Sequence, residues 1–558
     1  MKKKKNIIYL FALLALMSQH LFSQTHERVT VIGTFEPSLG EFTRLTVGPE
    51  RVEADFEPEA VTYTFIDKVI NTQIELESIP PLQIIPESRS RHYHNYLKAA
   101  IGSGLSPYFI YRHYSPISRN TRFGLGIRHF STWSNMAEYA PSDFMNNRLN
   151  LNFDHNFRSH ALFMELYYQY NTNRHYGFIP EDHPTYVFDK ADILQRYTNF
   201  GGTVGLQSKP TRSNTLYHNI IVKYNNISDY YGSSEHAASA MIELQKDLDL
   251  LNVDSKQAFS LDSDLAFFRN TDSLNTSNAS KIGLTPAFII DGDFFFLKAG
   301  ISLNLEVGDS SRFHLYPAVH SKLFLLESAV EIYANFTGGL QRKSLQIMAS
   351  ENPFISSIIP YQWENTPFRF KGGTKAAFIP NLELHFGVTY ANIANKAFYA
   401  TDKMNPIQNT FSLVFDDVQF FNFTAEVAYR LSNKLGIHLG YNHYEYTMTD
   451  ELHPWHEPLS KFSGKVELKP TEKLGFNTEV LLFGTRYAPY YTLADELVVV
   501  EVKELDPALD VNIGAVYYFS ERFSTFATIN NVLNNKYHKY LNYPVYGIQL
   551  YAGLTYSF

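Results

Sequence analysis

The residues best suited to metal chemistry lie in one short segment, His453-Pro454-Trp455-His456-Glu457. Imidazole and carboxylate groups are common zinc ligands, but a zinc site needs three or four converging ligands and supporting hydrogen bonds behind them. A polar loop is the simpler interpretation of this segment, and the separate pair His92 and His94 is interpreted in the same way. We therefore predict neither a metal site nor a bound cofactor.

The composition argues against enzymatic and nucleic-acid functions. The sequence contains no nucleophile elbow, phosphate-binding glycine loop or zinc-protease helix. It contains no cysteine, which excludes disulfides, thiolate metal sites and the lipid-modified cysteine of a lipoprotein. The net charge of −8 argues against a nucleic-acid partner. We therefore predict a protein that is not an enzyme.

The three tryptophans, Trp133, Trp363 and Trp455, fall in or beside segments that the strand pattern described below assigns to external loops. The loop 343–365 is also rich in large apolar residues, namely Phe354, Ile355, Ile358, Ile359 and Tyr361. Apolar residues on an external loop need a cover, which a partner protein, a ligand or the lumen of the molecule can provide. We predict that this loop is either an interface or a gate that folds inward.

An alternation of apolar and polar residues defines the elements that carry these loops. It runs through the last eleven residues to Phe558 and recurs at 382–390, 511–519 and 149–154. Such a period of two is typical of half-buried strands. After the amino-terminal segment no apolar run approaches the ~20 residues of a membrane helix, although Tyr and Phe number 38 and 44. This combination indicates an all-β transmembrane barrel with aromatic girdles.

About 22 candidate strands lie between Tyr96 and Phe558, which matches the ~22 strands of large outer-membrane transporters. Short turns are expected at 291–293, 379–381, 432–434, 471–473 and 520–522. Long connections are expected at 134–145, 179–194, 343–365, 393–417, 449–460, 489–509 and 536–545. Short periplasmic turns and long external loops are typical of outer-membrane barrels. We predict a closed antiparallel barrel embedded in outer-membrane lipid. The start of its first strand and the end of its last strand are both expected on the periplasmic side.

The residues before the barrel have a different character. Residues 1–23 combine four lysines with a short apolar run, which predicts a cleaved signal peptide and export. Residues 24–95 carry twelve acidic and six basic residues and several prolines, which predict an extended periplasmic or luminal extension. An extension of this size obstructs only part of a lumen roughly 40 Å across. The predicted domains are therefore 1–23, 24–95 and the barrel at 96–558.

The segment Asn530-Asn531-Val532-Leu533-Asn534-Asn535-Lys536-Tyr537, followed by Tyr543-Pro544 and a last strand ending in Phe558, resembles the final two strands of TonB-dependent receptors. The resemblance implies uptake of a solute across the outer membrane. It also implies that Phe558 belongs to the signal that the barrel-assembly machinery reads. Members of the family carry a larger plug domain before the barrel, so in this chain the plug is reduced or absent. The signal-peptide style and the aromatic content resemble proteins of the Bacteroidota.

Residues 27–33, with Val29, Thr30 and Val31 at their centre, resemble a TonB box. The resemblance implies strand addition to a TonB-type energy transducer, whereas an ordinary short strand explains the same valines. Two functions stay open. The first is passage or uptake of a solute, and the second is a non-transporting scaffold that anchors a surface lipoprotein or belongs to a larger envelope assembly machine.

Overall fold

The computed structural model describes residues 93–209, 216–251, 255–308, 310–494 and 497–558. The predicted signal peptide, the extension up to residue 92 and the TonB-box-like residues Val29, Thr30 and Val31 lie outside the described residues. The described part of the chain is mainly β-structure, with one short α-helix, α1 (Leu345–Glu351). No helix in these ranges is long and apolar enough to cross a membrane.

Twenty-two antiparallel strands form one continuous sheet. The first eleven are β1 (Asn95–Gly102), β2 (Ser106–Pro116), β3 (Thr121–Thr132), β4 (Phe144–Asn156), β5 (His160–Arg174), β6 (Leu194–Ser208), β7 (Leu216–Ser228), β8 (Ser234–Leu248), β9 (Lys256–Thr271), β10 (Thr276–Asp291) and β11 (Phe295–Val307). The others are β12 (Arg312–Leu325), β13 (Val330–Gln341), β14 (Glu364–Ile379), β15 (Leu382–Thr401), β16 (Phe411–Leu431), β17 (Leu435–Met448), β18 (Ser460–Leu468), β19 (Leu474–Phe483), β22 (Ala508–Tyr518), β23 (Phe523–Asn530) and β26 (Gln549–Ser557). Two small hairpins lie outside this sheet, β20 (Arg486–Ala494) with β21 (Leu497–Leu505), and β24 (His538–Tyr540) with β25 (Tyr543–Pro544).

The first and last strands pair and close the sheet into a barrel. The register of β1 against β26 runs from Tyr96 opposite Ser557 to Gly102 opposite Tyr551. Backbone hydrogen bonds between Asn95 and Phe558, at 2.9 and 3.0 Å, extend this seam to the last residue. Closure is required because unpaired backbone groups of an open edge have no partners in lipid. The predicted closed barrel and its strand number are confirmed.

The alternation seen in the sequence separates the two faces of the wall. On β15, Phe386 and Val388 are exposed on the outer face, whereas Thr389 on the opposite face is buried. On β26, Leu550 and Leu554 are exposed in the same way and Tyr551 is buried. The apolar outer residues meet lipid, and the polar residues between them line the lumen.

Strand lengths differ from the prediction at two of the long connections. Residues 393–417 are mostly strand, because β15 and β16 continue well into the long connection that was expected there. Phe398 and Ala400 on this extension are each 1% exposed, since neighbouring loops cover them. Residues 489–509 fold largely as part of the hairpin β20–β21. The connection between β15 and β16 is therefore shorter than the predicted 393–417, because packing between loops stabilises strands outside the membrane. The long connection predicted at 489–509 is present between β19 and β22, and it contains a hairpin.

Candidate functional site

Seven long loops, five of which share an apolar core, lie at the end of the barrel opposite Asn95 and Phe558. They are termed the loop cap and comprise residues 133–143, 175–193, 342–363, 402–410, 449–459, 484–507 and 531–548. The largest buried cluster of the described residues draws most of its members from the cap, including Ala140, Tyr176, Phe178, Ile193, Leu345, Met348, Ile355, Ile359, Ile407, Tyr540 and Tyr543. Such a core forms because apolar side chains of separate loops leave water together.

Three aromatic rings from three different loops meet in this core. Phe354 stacks on Tyr543 with ring centroids 3.8 Å apart and an interplanar angle of 18°. Tyr176 packs edge-on against both rings, 4.9 Å from Tyr543 and 5.5 Å from Phe354. The hydroxyl of Tyr176 donates to Pro544 O at 2.9 Å, and that of Tyr543 donates to Asn409 O at 2.6 Å. The three residues Tyr176, Phe354 and Tyr543 are termed the aromatic contact.

The loops that form the aromatic contact start from widely separated places on the wall. They connect β5 to β6, β13 to β14 and β23 to β26. Around the ring, these pairs are separated by β7–β12, by β15–β19 with β22, and by β1–β4. A barrel of this strand number is roughly 40 Å across, so each loop reaches about 20 Å inward. The aromatic contact therefore lies over the lumen and not at its rim.

The loop 342–363 is held in place by α1. The side chain of Ser344 caps the helix, since its Oγ accepts a hydrogen bond from the backbone N–H of Ile347 at 3.2 Å. The next residue, Leu345, donates its N–H to Glu235 Oε1 of β8 at 3.0 Å. These bonds fix both the start of the helix and its position against the wall.

An ion pair holds the two ends of α1 together. Lys343 Nζ lies 3.0 Å from Glu351 Oε2, and the Tyr399 hydroxyl donates to the same carboxylate oxygen at 2.6 Å. Burial opposes the charge on Lys343, but the carboxylates of Glu351, Glu364 and Glu457 together outweigh it and raise the pKa of the ammonium group. Burial likewise opposes the charge on Glu351, while Lys343 and Tyr399 together hold its pKa below the ordinary value. Tyr540 then binds this region to the last loop by donating to Glu351 O at 2.9 Å.

The predicted residues of this loop have different surroundings. Phe354 and Tyr361 pack against the buried cluster of the cap. Ile358 keeps 46% of its surface exposed. Trp363, at the end of the loop, packs edge-on against Phe268 with a centroid distance of 5.9 Å. The inward packing of Phe354 and Tyr361 supports the gate interpretation of this loop.

The other two tryptophans have opposite environments. Trp455 is 2% exposed and lies in a second cluster with Phe398 and Phe420. Its Nε1 donates to Glu451 Oε2 at 2.7 Å, which satisfies the buried indole group. Trp133 follows β3 directly and is 64% exposed. Trp455 is thus part of the interior of the cap, and Trp133 belongs to its surface.

The histidines next to Trp455 have structural partners. His456 donates from Nδ1 to Tyr399 O at 2.7 Å and accepts at Nε2 from the backbone N–H of Leu541 at 3.2 Å, so both ring nitrogens are used. His453 stacks on Tyr487 with centroids 4.1 Å apart. In the described ranges no group of three or more His, Asp or Glu residues is placed to hold a metal ion.

Sequence reasoning missed two of the three residues in the aromatic contact. Tyr543 stood out only as part of a family motif, and Tyr176 did not stand out at all. A signal was present in Gly177, beside Tyr176. A Cβ added there would lie 2.4 Å from the ring of Tyr543, so only glycine allows this close approach.

The closed wall, the apolar outer face and the loop cap define an integral outer-membrane barrel. No family model matches the sequence, and no curated protein matches it. In solved structures, the siderophore receptor PirA from Acinetobacter baumannii is similar with a TM-score of 0.64 at 9% identity, over 84% of this chain and 81% of that one. The pyoverdine outer membrane receptor FpvA from Pseudomonas aeruginosa PAO1 gives a TM-score of 0.63 at 12% identity, over 85% and 79%.

A third similar structure is the ferric-catecholate import receptor Fiu from E. coli K12, with a TM-score of 0.61 at 10% identity over 84% of this chain and 82% of that one. At such low identities the similarity shows the fold alone. The chain therefore has the barrel fold of TonB-dependent siderophore receptors.

Proposed function

We propose that the protein is a TonB-dependent-receptor-like barrel that takes up a solute across the outer membrane, with the aromatic contact of the loop cap as its gate. The observation that carries the proposal is the aromatic contact, which joins three distant loops over the lumen. The receptors with similar folds, described as siderophore or import receptors, support uptake as the function.

The inner wall supplies a polar path beneath this gate. Lys298 Nζ pairs with Asp262 Oδ2 at 2.6 Å, and Lys281 pairs with Asp264 on the neighbouring strands. Polar and charged side chains of this kind keep a lumen hydrated and let a water-soluble compound pass. A scaffold without transport has no need of such a path.

Removing the aromatic contact tests the proposal. An aromatic pair contributes about 0.5–1.5 kcal/mol beyond its buried area, so the double change Phe354→Ala and Tyr543→Ala should raise the open fraction about tenfold. Single-channel recordings of the purified protein in planar bilayers measure the open fraction and the conductance. Trp133→Ala, which removes an exposed aromatic residue, is the matched control. Conductance equal to that of the unchanged protein in the double variant would refute the gate.

The proposal includes a reduced plug and a TonB box at Val29, Thr30 and Val31. Strand addition needs backbone N–H groups at the edge, and proline removes them. We expect Val29→Pro with Val31→Pro to weaken binding of the periplasmic domain of a TonB-type transducer by at least about tenfold. Isothermal titration calorimetry measures the affinity, and Val29→Thr with Val31→Thr keeps the N–H groups as a control. Equal affinity of the proline variant would mean that these residues are an ordinary strand.

A second function, a scaffold for a surface lipoprotein or a larger envelope assembly, is favoured by the small extension and by the exposed Trp133 and Ile358. A scaffold predicts no conductance change on opening the cap and loss of a surface partner when these two residues become serine. Neither function is enzymatic. The predicted Bacteroidota origin rests on the signal-peptide style and aromatic content of the sequence.

A further inference from the structure

The hairpin β20–β21 has one edge joined to other loops of the loop cap. On β20, Tyr487 O accepts a hydrogen bond from His456 N at 2.7 Å. Tyr491 donates its N–H to Gln408 Oε1 at 2.9 Å and accepts from Gln408 Nε2 at 2.7 Å. Pro489, which has no N–H to satisfy, lies between these two tyrosines and is buried. The outer edge of β20 is therefore covered.

The geometry of the pair identifies the opposite edge. In antiparallel strands the backbone groups of alternate residues point toward the partner and away from it. Tyr491 points away from β21 and lies opposite Val500 in the register, so Val500 also points outward. The outward groups of β21 are those of Val498, Val500, Val502 and Glu504. Among the described residues, none of these backbone groups has a hydrogen-bond partner.

The side chains of β21 are exposed on both faces of the hairpin. Val499 on one face is 43% exposed, and Val500 and Val502 on the other are 41% and 38% exposed. β-Branched residues favour the extended conformation, and an uncovered apolar edge strand is a template for pairing with another chain. An exposed valine strand with a free edge at the cell surface is therefore built for strand addition.

The charges around β21 select the partner. Residues 497–506 contain Glu501, Glu504 and Asp506 but only one basic residue, Lys503. Lys503 Nζ already lies 2.8 Å from Glu501 Oε2. Like charges on facing strands are destabilising, which opposes pairing with a second copy of the same edge.

We propose that the outer edge of β21 accepts an extended, basic segment of a second protein as a third strand. Main-chain hydrogen bonds to Val498, Val500 and Val502 supply affinity, and the acidic side chains select a basic sequence. This interaction goes beyond solute uptake and does not require it. The protein thus carries a docking edge on the hairpin that is separate from the gate.

A peptide titration with the full-length protein in detergent tests the proposal. The probe is a fluorescein-labelled decapeptide of alternating lysine and valine, and fluorescence anisotropy reports binding. We expect the same peptide with N-methyl groups on alternate residues, and a glutamate–valine peptide, to bind at least about tenfold more weakly. Equal binding of the N-methylated peptide would overturn strand addition, and equal binding of the acidic peptide would overturn the basic preference.

Two variants locate the site. Val500→Pro removes one outward N–H and leaves the bonds to β20 intact, so the lysine–valine peptide should bind about tenfold more weakly. Val500→Thr keeps the N–H and the β-branched shape and should bind as the unchanged protein does. Glu501→Lys with Glu504→Lys reverses two acidic charges of β21 and keeps the backbone N–H groups. This variant should also bind the lysine–valine peptide about tenfold more weakly. Unchanged binding in either the proline or the lysine variant contradicts the proposal.

Two further readouts separate this proposal from its competitors. Sedimentation velocity that shows a concentration-dependent dimer, abolished by Val500→Pro, would assign the edge to a second copy and overturn the proposal. Single-channel conductance should be the same for Val500→Pro and the unchanged protein. A failure of the gate experiment therefore leaves the docking edge intact, and the reverse also holds.

Discussion

At the scale of single residues, two buried histidines make the loop cap sensitive to acid. His175 is 4% exposed and its Nδ1 lies 3.3 Å from Asn409 O. His456 is 8% exposed and is hydrogen-bonded to Tyr399 of β15 and to Leu541 of the last loop. Burial lowers the pKa of each ring from 6.5 to about 4. Both histidines are therefore neutral when the loops of the cap are packed.

The sign of the pH effect follows from these shifts. Between pH 6.5 and 4 the histidines bind protons when the loops are open but not when they are packed, so the cap loses stability as the pH falls through this window. One unit of pKa corresponds to about 1.4 kcal/mol, so the shift of each histidine is worth about 3 kcal/mol at the acid end. Above pH 6.5 this contribution is constant.

We therefore expect conductance to rise when the pH is lowered from about 7.5 to about 5. The double variant His175→Asn and His456→Asn removes both titrating rings and should lose most of this pH dependence. His94→Asn, at an exposed position directly before β1, serves as the matched control. Bilayer recordings across the range check the expectation, and a pH dependence that persists in the double variant would contradict it.

At the scale of elements, the loop 449–459 is organised around one buried side chain. Trp455 is among the largest fully buried residues of the described chain, and it connects this loop to the extended ends of β15 and β16. The same contacts with Trp455 cover the extended ends of β15 and β16. Loop and strand ends therefore stabilise each other.

Trp455→Ala should release the loop 449–459. Truncating a buried aromatic residue costs about 3–5 kcal/mol because a cavity remains. We expect faster proteolysis and faster amide exchange in this loop, with the barrel strands unchanged. Trp133→Ala removes the same side chain at an exposed site and should have little effect. Amide hydrogen exchange measures the protection of the loop. Equal protection in both variants would show that Trp455 does not anchor it.

At the scale of the whole molecule, one arc of the inner wall complements the acidic extension. The lumen side of β1–β5 carries only two acidic residues, Asp154 and Glu165. It carries five basic residues, namely Lys98, Arg112, Arg122, Arg128 and Arg148. The extension at 24–95 has twelve acidic and six basic residues and precedes β1 directly. We predict that part of it lies inside the lumen, near this arc.

Deleting residues 24–85 should then raise single-channel conductance, because the lumen loses an obstruction and its counter-charges. The deletion leaves β1 and the closing seam with β26 in place. The increase should add to that of the Phe354→Ala and Tyr543→Ala variant, since the deletion leaves the aromatic contact in place. Unchanged conductance after deletion would mean that the extension hangs free in the periplasm or that the loops alone close the pore.

The barrel itself follows from the sequence. Alternation such as that at 382–390 and 548–558 is a local property, and the need to pair every backbone group in lipid converts many such strands into one closed wall. Strand number, turn positions and the location of the long loops could all be predicted for this reason. The ends of β15 and β16 could not, because contacts between loops determine how far they extend.

The candidate site depended on tertiary structure. Trp133 and Trp455 occupy similar polar segments, yet one is 64% exposed and the other 2%, because burial depends on which other loops lie above each residue. Tyr176, Phe354 and Tyr543 are far apart in the chain and carry no common motif. The sequence by itself determined that apolar loop residues need a cover. Only closure of the ring, which aims three loops at the same point over the lumen, decided that they cover one another.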